Sequence, residues 1–170
     1  AGYLTDVGAA LSGLPVGLPV AVGTGDDFAA LLGCGISQPG TVCVTIGTGE
    51  IIGALVEKLV IDTDQLVETH IFCTGHYHLG NPGWLSGGAI RWFLNTFSVK
   101  DDAEFSALAA QTPPGCDGLL FIPALTGATA PQWLDKARGT FHGMTTSHTK
   151  SHFARAVLEG TSFAMRDVID

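Results

Sequence analysis

Val20-Ala21-Val22, then Gly23-Thr24-Gly25-Asp26-Asp27, then Phe28-Ala29-Ala30-Leu31-Leu32-Gly33 make up one uninterrupted run of the chain. Three apolar residues predict a short strand, the glycine-flanked pair of aspartates predicts a tight turn, and the alanine- and leucine-rich segment predicts a helix. A strand, a turn and a helix start, in that order, are how α/β folds present side chains at the carboxyl end of a sheet. Asp26 therefore stands where a carboxylate can reach a cleft as a base. The alternative is that Asp26 or Asp27 caps the helix by accepting from its first N–H groups, a role that aspartate fills well.

Upstream, residues 1–13 carry apolar side chains at roughly helical spacing until Leu14-Pro15-Val16-Gly17-Leu18-Pro19 breaks the helix with two prolines. Downstream, Thr41-Val42-Cys43-Val44-Thr45-Ile46 and Ile51-Ile52-Gly53-Ala54-Leu55-Val56 predict a hairpin across Gly47-Thr48-Gly49-Glu50. Residues 67–74 predict another strand, and Asn81-Pro82-Gly83 predicts a turn. Ser86 is placed to cap a helix whose apolar face takes Ala89, Ile90, Phe93 and Phe97. Residues 101–110 predict a helix, 119–122 a buried strand, 123–138 irregular structure, and Ser151 onward a long helix carrying Phe153, Ala156, Val157, Gly160, Ala164 and Val168 on one face. The pattern reaches Asp170 without a stop signal, which is the expectation for a chain that continues.

Eight basic against 16 acidic residues leave a formal charge of −8, and 46% of the 170 residues are hydrophobic. That balance excludes a disordered chain and a basic nucleic-acid-binding one. Phe28 to Gly49 lacks any charged residue, but five glycines, three threonines, Gln38 and Pro39 interrupt it, so it is expected to be buried helix and strand and not a membrane span. Cys34, Cys43, Cys73 and Cys116 form no C-x-x-C pair. No lysine or arginine precedes Lys58, so the basic region of a secretory or transit signal is missing and a cytoplasmic location is expected.

Gly47-Thr48-Gly49 offers approachable backbone N–H groups and a hydroxyl, which suits a polyphosphate, although an ordinary β-turn explains it equally. Gly87-Gly88, at a helix start behind Ser86, could admit an anion to the positive helix end, or serve close helix packing. His76 and His78 would share one side of a strand, yet no third ligand stands at a suitable spacing, so no metal site is expected. Trp84, Trp92 and Trp133 read as core or rim aromatics.

Together these segments resemble the FGGY family of carbohydrate kinases over essentially the whole chain. Gly23-Thr24-Gly25-Asp26-Asp27 is similar to the family's G-x-G-D element, and Thr45-Ile46-Gly47-Thr48-Gly49 to its phosphate-binding hairpin. The most specific match is Gly139-x-Phe141-x-Gly143-Met144, seven residues, then His152-Phe153-x-x-Ala156-Val157-Leu158-Glu159, preceded by Pro123-Ala124-Leu125-Thr126-Gly127.

The resemblance implies a partial actin-like (ribonuclease-H-like) α/β fold, a mixed sheet with flanking helices. Residues 1–35 would end a first domain and residues 36–170 would begin the C-terminal one. It implies ATP and Mg²⁺ as cofactors, a sugar and ATP as small-molecule partners, no nucleic acid or membrane partner, and a homodimer as the candidate assembly. Asp26 would be the catalytic base and bind the attacking hydroxyl, and Asp27 would contact the sugar where the family more often has Asn or Gln. Gly47, Thr48, Gly49, Gly87 and Arg91 would contact the nucleotide. The reaction implied is ATP-dependent phosphorylation of a sugar or polyol hydroxyl, with Asn81-Pro82-Gly83-Trp84 and Arg91-Trp92-Phe93 leaning toward the ketopentose (xylulose) kinases. Ala130-Pro131-Gln132-Trp133 and Arg166-Asp167-Val168 lean toward glycerol kinases. A ligand-binding actin-like module without catalysis is the non-enzyme alternative. As half of a cleft, without a first domain or an adenosine-binding segment, the 170 residues alone are expected to be inactive.

Overall fold

The computed structural model describes residues 2–170. The amino-terminal part is a two-stranded ribbon, β1 (Gly2–Tyr3) with β2 (Pro19–Val20), around α1 (Asp6–Ser12). Thr5 caps α1 by accepting from Gly8 N, and Gly13 ends it in the left-handed region, φ 73°, that glycine enters without penalty. The strand expected over 20–22 covers only Val20, and Val22 is exposed. The expected helix follows as α2 (Asp26–Gly33).

The centre is a four-stranded sheet in the order β3-β4-β6-β5, built from β3 (Val42–Ile46), β4 (Gly49–Val56), β5 (Glu68–Ile71) and β6 (Tyr77–Leu85). Each of its ladders is antiparallel. The predicted hairpin closes with Ile46 opposite Glu50, so Glu50 belongs to the strand and not to the turn.

Two sequence expectations fail in this sheet. Asn81-Pro82-Gly83 is not a turn, because β6 runs straight through it. Pro82 faces Ile51 where the β4–β6 register shifts, a bulge that tolerates a residue with no N–H to give. The uncharged stretch 28–49 is also not uniformly buried. Leu31 is enclosed, but β3 is an edge strand whose Val42, Val44 and Ile46 lie exposed on one face.

The remaining elements pack as a helical layer and a small ribbon: α3 (Gly87–Thr96), α4 (Asp102–Ala109), β7 (Leu120–Ile122), β8 (Thr140–His142) and α5 (Lys150–Ile169). The stretch 123–138 is irregular as expected, apart from isolated bridges. The largest core joins Phe93, Phe105, Leu119, Ala154 and Val157 from α3, α4, α5 and the β7 region. Gly160 lets α5 lie on β7, since a Cβ there would strike the Phe121 carbonyl. The family-like signature of residues 139–159 is largely scaffold in this arrangement. Phe141 stands 4.7 Å from Phe121 and 4.8 Å from Phe153, ring to ring, and Gly143 turns with φ 83° against the Gly118 carbonyl. Glu159 accepts from Gly115 N at 3.1 Å and from Arg155 Nε at 2.7 Å, fixing the 3-10 turn before β7 to the helix.

Candidate active site

Asp26 and Asp27 form the first turn of α2, with Gly25 at the cap position and no side chain capping the helix. The capping alternative holds in part, since the Asp26 side chain accepts from one of the first N–H groups of the helix. Asp26 Oδ1 accepts from Asp27 N at 3.1 Å and the Asp26 carboxylate is exposed, whereas Asp27 is half-buried. The two adjacent carboxylates face different surroundings, and of the two it is Asp27 that borders a partly open space.

That space is a cavity of about 230 Å³ between α2 and the sheet, lined by Asp27, Phe28, Glu68, His70, His78 and Asn81 among others. His70 and His78 are directly paired across β5 and β6, and Glu68 Oε2 lies 3.2 Å from His70 Nε2. Sequence reasoning missed Glu68, His70 and Asn81. The pair His76 and His78 separates: His76 precedes β6 and binds Thr74 Oγ1 at 2.9 Å, while His78 is buried in the strand. Among the described residues no group of three or more His, Cys, Asp or Glu side chains is placed to hold a metal.

The hairpin tip and the start of α3 meet in a second concavity of about 320 Å³, lined by Gly47, Thr48, Gly87, Gly88 and Arg91. Four of the five residues that the resemblance assigns to the nucleotide thus share one surface, and Gly49 sits just behind it. Three backbone bonds clamp the joint: Gly87 N to Gly47 O at 3.1 Å, Gly88 N to Thr48 O at 2.8 Å and Ser86 N to Thr48 O at 3.2 Å. The first N–H groups of α3 are spent on hairpin carbonyls. The two glycines therefore serve close approach, the packing alternative, and leave Thr48 and Arg91 as the polar groups of the concavity. A Cβ on Gly87 would overlap the Gly47 carbonyl oxygen.

Glu50, directly behind the tip, is also absent from the sequence expectations. It is 1% exposed, its Oε1 accepts from Trp84 N at 3.4 Å and its Oε2 has no partner. Gly83 makes room for it, since a Cβ there would collide with the Glu50 side chain. Burial pushes its pKa up to about 7 from the usual 4.5, against the lowering effect of the Trp84 N–H and the Ser86 hydroxyl. A carboxyl whose folded pKa is raised favours the folded state most below about pH 4.5, and that advantage is lost as pH rises toward 7. At about 1.4 kcal/mol per unit, the swing is about 3 kcal/mol. Glu50→Gln is expected to abolish this part of the pH dependence, so that in urea unfolding the variant gains on the wild type from about pH 4.5 to about 7 and the difference levels off above that. Parallel curves for the two proteins would refute the assignment.

The three tryptophans are core or rim residues. Trp84 is buried and donates Nε1–H to Ala130 O at 2.6 Å, Trp92 stacks parallel to Phe121 at 6.1 Å, and Trp133 is exposed. No helix among the described residues is long and apolar enough to cross a membrane.

Residues 42–170 match the model of the FGGY family of carbohydrate kinases, C-terminal domain. The chain is 30% identical to the gluconokinase of Bacillus licheniformis over 94% of its own length and 33% of that protein. It is 35% identical to the glycerol kinase of Myxococcus xanthus over 92% of its length and 33% of that protein. The solved structure of ligand-bound xylulose kinase from Lactobacillus acidophilus superposes with a TM-score of 0.85 at 28% identity, covering 96% of this chain and 34% of that one. The chain thus spans about a third of the length of the relatives it matches. The architecture is the α/β arrangement of the actin-like ATPase fold, sheets with flanking helices. On the family match and the shared fold together, the chain belongs to the FGGY family of carbohydrate kinases.

Proposed function

We propose that the intact protein transfers the terminal phosphoryl group of ATP to a hydroxyl of a small sugar, a ketopentose such as xylulose, and that Asp26 is the base. The observation that carries this reading is the convergence of Gly47, Thr48, Gly87 and Arg91 on one concavity. A glycine-walled concavity with a hydroxyl and a guanidinium lies at the sheet's hairpin, and a largely apolar cavity edged by the Asp27 and Glu68 carboxyls lies beside α2. Several solved relatives named as xylulose kinases share the fold, which supports the ketopentose class. In this reading residues 1–35 close a first domain and residues 36–170 open the second.

The phosphate concavity fits a nucleotide's phosphates in kind: its glycines keep side chains out of the space, and Thr48 and Arg91 can donate to anionic oxygens. Mg²⁺ keeps several waters and takes few protein ligands, so it would arrive with the phosphates and neutralise their charge. The attacking hydroxyl donates to Asp26, which accepts its proton as the new O–P bond forms and the bond to the departing ADP breaks. Phosphoryl transfer asks chiefly for alignment and charge neutralisation, so a single exposed carboxylate suffices as base. Asp27 holds the acceptor from the cavity side.

The test is ATP-dependent ADP release by the intact protein with xylulose, ribulose, other ketoses and glycerol. Release with a ketopentose is expected. Release with glycerol alone would move the assignment to a glycerol kinase, and ATP binding without release would favour a non-catalytic module.

A further inference from the structure

Phosphoryl transfer as described leaves one buried acid unused. Glu50 stands two residues behind Thr48, is 1% exposed, and takes part in no step. Its place in the sheet accounts for its shape. Gly49 faces Leu85 and Ile51 faces Pro82, so Glu50 alone stands opposite two residues, Gly83 and Trp84, of a bulge in β6. Its Oε1 accepts from Trp84 N at 3.4 Å, and Gly83 leaves the slot open. A glutamine would fill the slot and accept that N–H without bringing a charge into the interior, so the bulge does not account for an acid.

Ser86 connects this acid to the hairpin tip. It occupies the N-cap position of α3, yet its side chain does not cap the helix. It is buried, its N–H is donated to Thr48 O at 3.2 Å, and its hydroxyl acts on the Glu50 carboxyl. Oε1 is engaged by Trp84, whereas Oε2 has no settled partner and is the oxygen free to carry a proton. A hydroxyl donates to an ionised carboxylate and accepts from a protonated one, so Ser86 can serve Glu50 in either state.

We infer that Glu50 is a positioning residue of the nucleotide concavity, acting on the Thr48 tip through Ser86, and that phosphates binding at the tip draw a proton from solvent onto its Oε2. This rests on the kinase reading above and adds to it a proton linked to the nucleotide. Two residues of extended chain span about 7 Å, so phosphates seated on Thr48 feel an ionised Glu50 through an interior that screens charge weakly. Protonation of Glu50 removes that repulsion. Burial already pushes the carboxyl up to about 7, where a small further push changes its state at neutral pH. Titratable groups on the elements around it, among them Cys43 on β3, His78 on β6, Arg91 on α3 and Glu159 on α5, contribute nothing to that shift. By linkage, the factor by which the nucleotide strengthens proton binding at Glu50 is the factor by which the proton strengthens nucleotide binding.

The experiment is calorimetric titration of the intact protein with ADP and Mg²⁺, without sugar, from pH 6 to 9 and in buffers of different ionisation enthalpy, for the wild type and Glu50→Gln. ADP exchanges protons of its own, and the glutamine variant, which keeps the shape of the slot and an acceptor for Trp84 N, subtracts them. The wild type is expected to take up about half a proton more per nucleotide than the variant near pH 7.5. It is also expected to lose on the order of tenfold more affinity between pH 6 and 9. Ser86→Ala removes a hydroxyl that favours the ionised form, so its affinity is expected to fall at higher pH than that of the wild type. Equal proton uptake and parallel affinity profiles in the wild type and Glu50→Gln would overturn the inference and leave Glu50 as a plug of the bulge that affects stability alone. A Ser86→Ala profile that coincides with the wild type would overturn the part given to Ser86. A wild type that binds no ADP at any pH would overturn the nucleotide reading of the concavity, and the inference with it.

Discussion

Asparagine in place of Asp26 is expected to lower kcat of the intact protein about a thousandfold, with KM for ATP within a few-fold of the wild type. A positioned general base contributes roughly 10²–10⁴, and asparagine keeps the shape while losing the ability to take a proton. Folding should hardly change. Asp26 is exposed, and its one hydrogen bond, from Asp27 N, can be accepted by an asparagine oxygen. What is lost is a first-turn negative charge near a helix N-terminus, worth about 0.3–1 kcal/mol. Single-turnover phosphorylation and thermal unfolding of the same preparation check both halves. A variant that retains a tenth of wild-type turnover would remove Asp26 from the base role, whereas a variant that unfolds early would show that the charge matters more to the helix than its exposure implies.

Much of the scaffold was legible because local rules and tertiary context agree there. The hairpin of residues 42–56 was readable from β-branched alternation and a glycine tip, and α5 from a long one-sided apolar stripe. The place of the glycine-flanked aspartates at the start of a helix was legible too. The site's lining was less accessible. Asn81-Pro82-Gly83 carries turn chemistry, and only the register shift opposite Gly49 and Ile51 explains how a strand absorbs it. Once that strand was read as a turn, Asn81 could not be seen to share a cavity with His70, which lies on a different strand.

Glu50 was hidden for a related reason. A charged residue after G-T-G reads as part of a solvated turn, and nothing local reveals that Gly83, 33 positions on, leaves a slot for its side chain. The signal that could have found it is its position one residue before a continuous apolar strand, where alternation places it inward. The most specific motif of the sequence, residues 139–159, turned out to hold α5 against β7. Sequence specificity and chemical role lie on different segments of this chain.

Alanine at Gly87 provides the sharpest test of the phosphate concavity, because two effects of opposite sign meet there. Helix propensity favours alanine over glycine by up to about 1 kcal/mol, so an isolated α3 would be stabilised. The joint is expected to reverse this, because the added Cβ falls on the Gly47 carbonyl oxygen, a backbone atom that can yield only by moving the hairpin tip. Overpacking of this kind costs about 1–3 kcal/mol, and the shift also endangers the 3.1 Å bond from Gly87 N to Gly47 O, worth about 1 kcal/mol. The balance is a loss of about 2 kcal/mol in stability. Because the displaced atoms belong to the tip that carries Thr48, KM for ATP is expected to rise more than tenfold while KM for the sugar stays near wild type. Gly88→Ala is the control: its Cβ meets chiefly the flexible Leu85 side chain, with Thr48 O at 3.0 Å, so its effects should be smaller on both measures. A Gly87→Ala protein that is destabilised yet binds ATP normally would show that the hairpin–helix joint holds the fold together without shaping the nucleotide site.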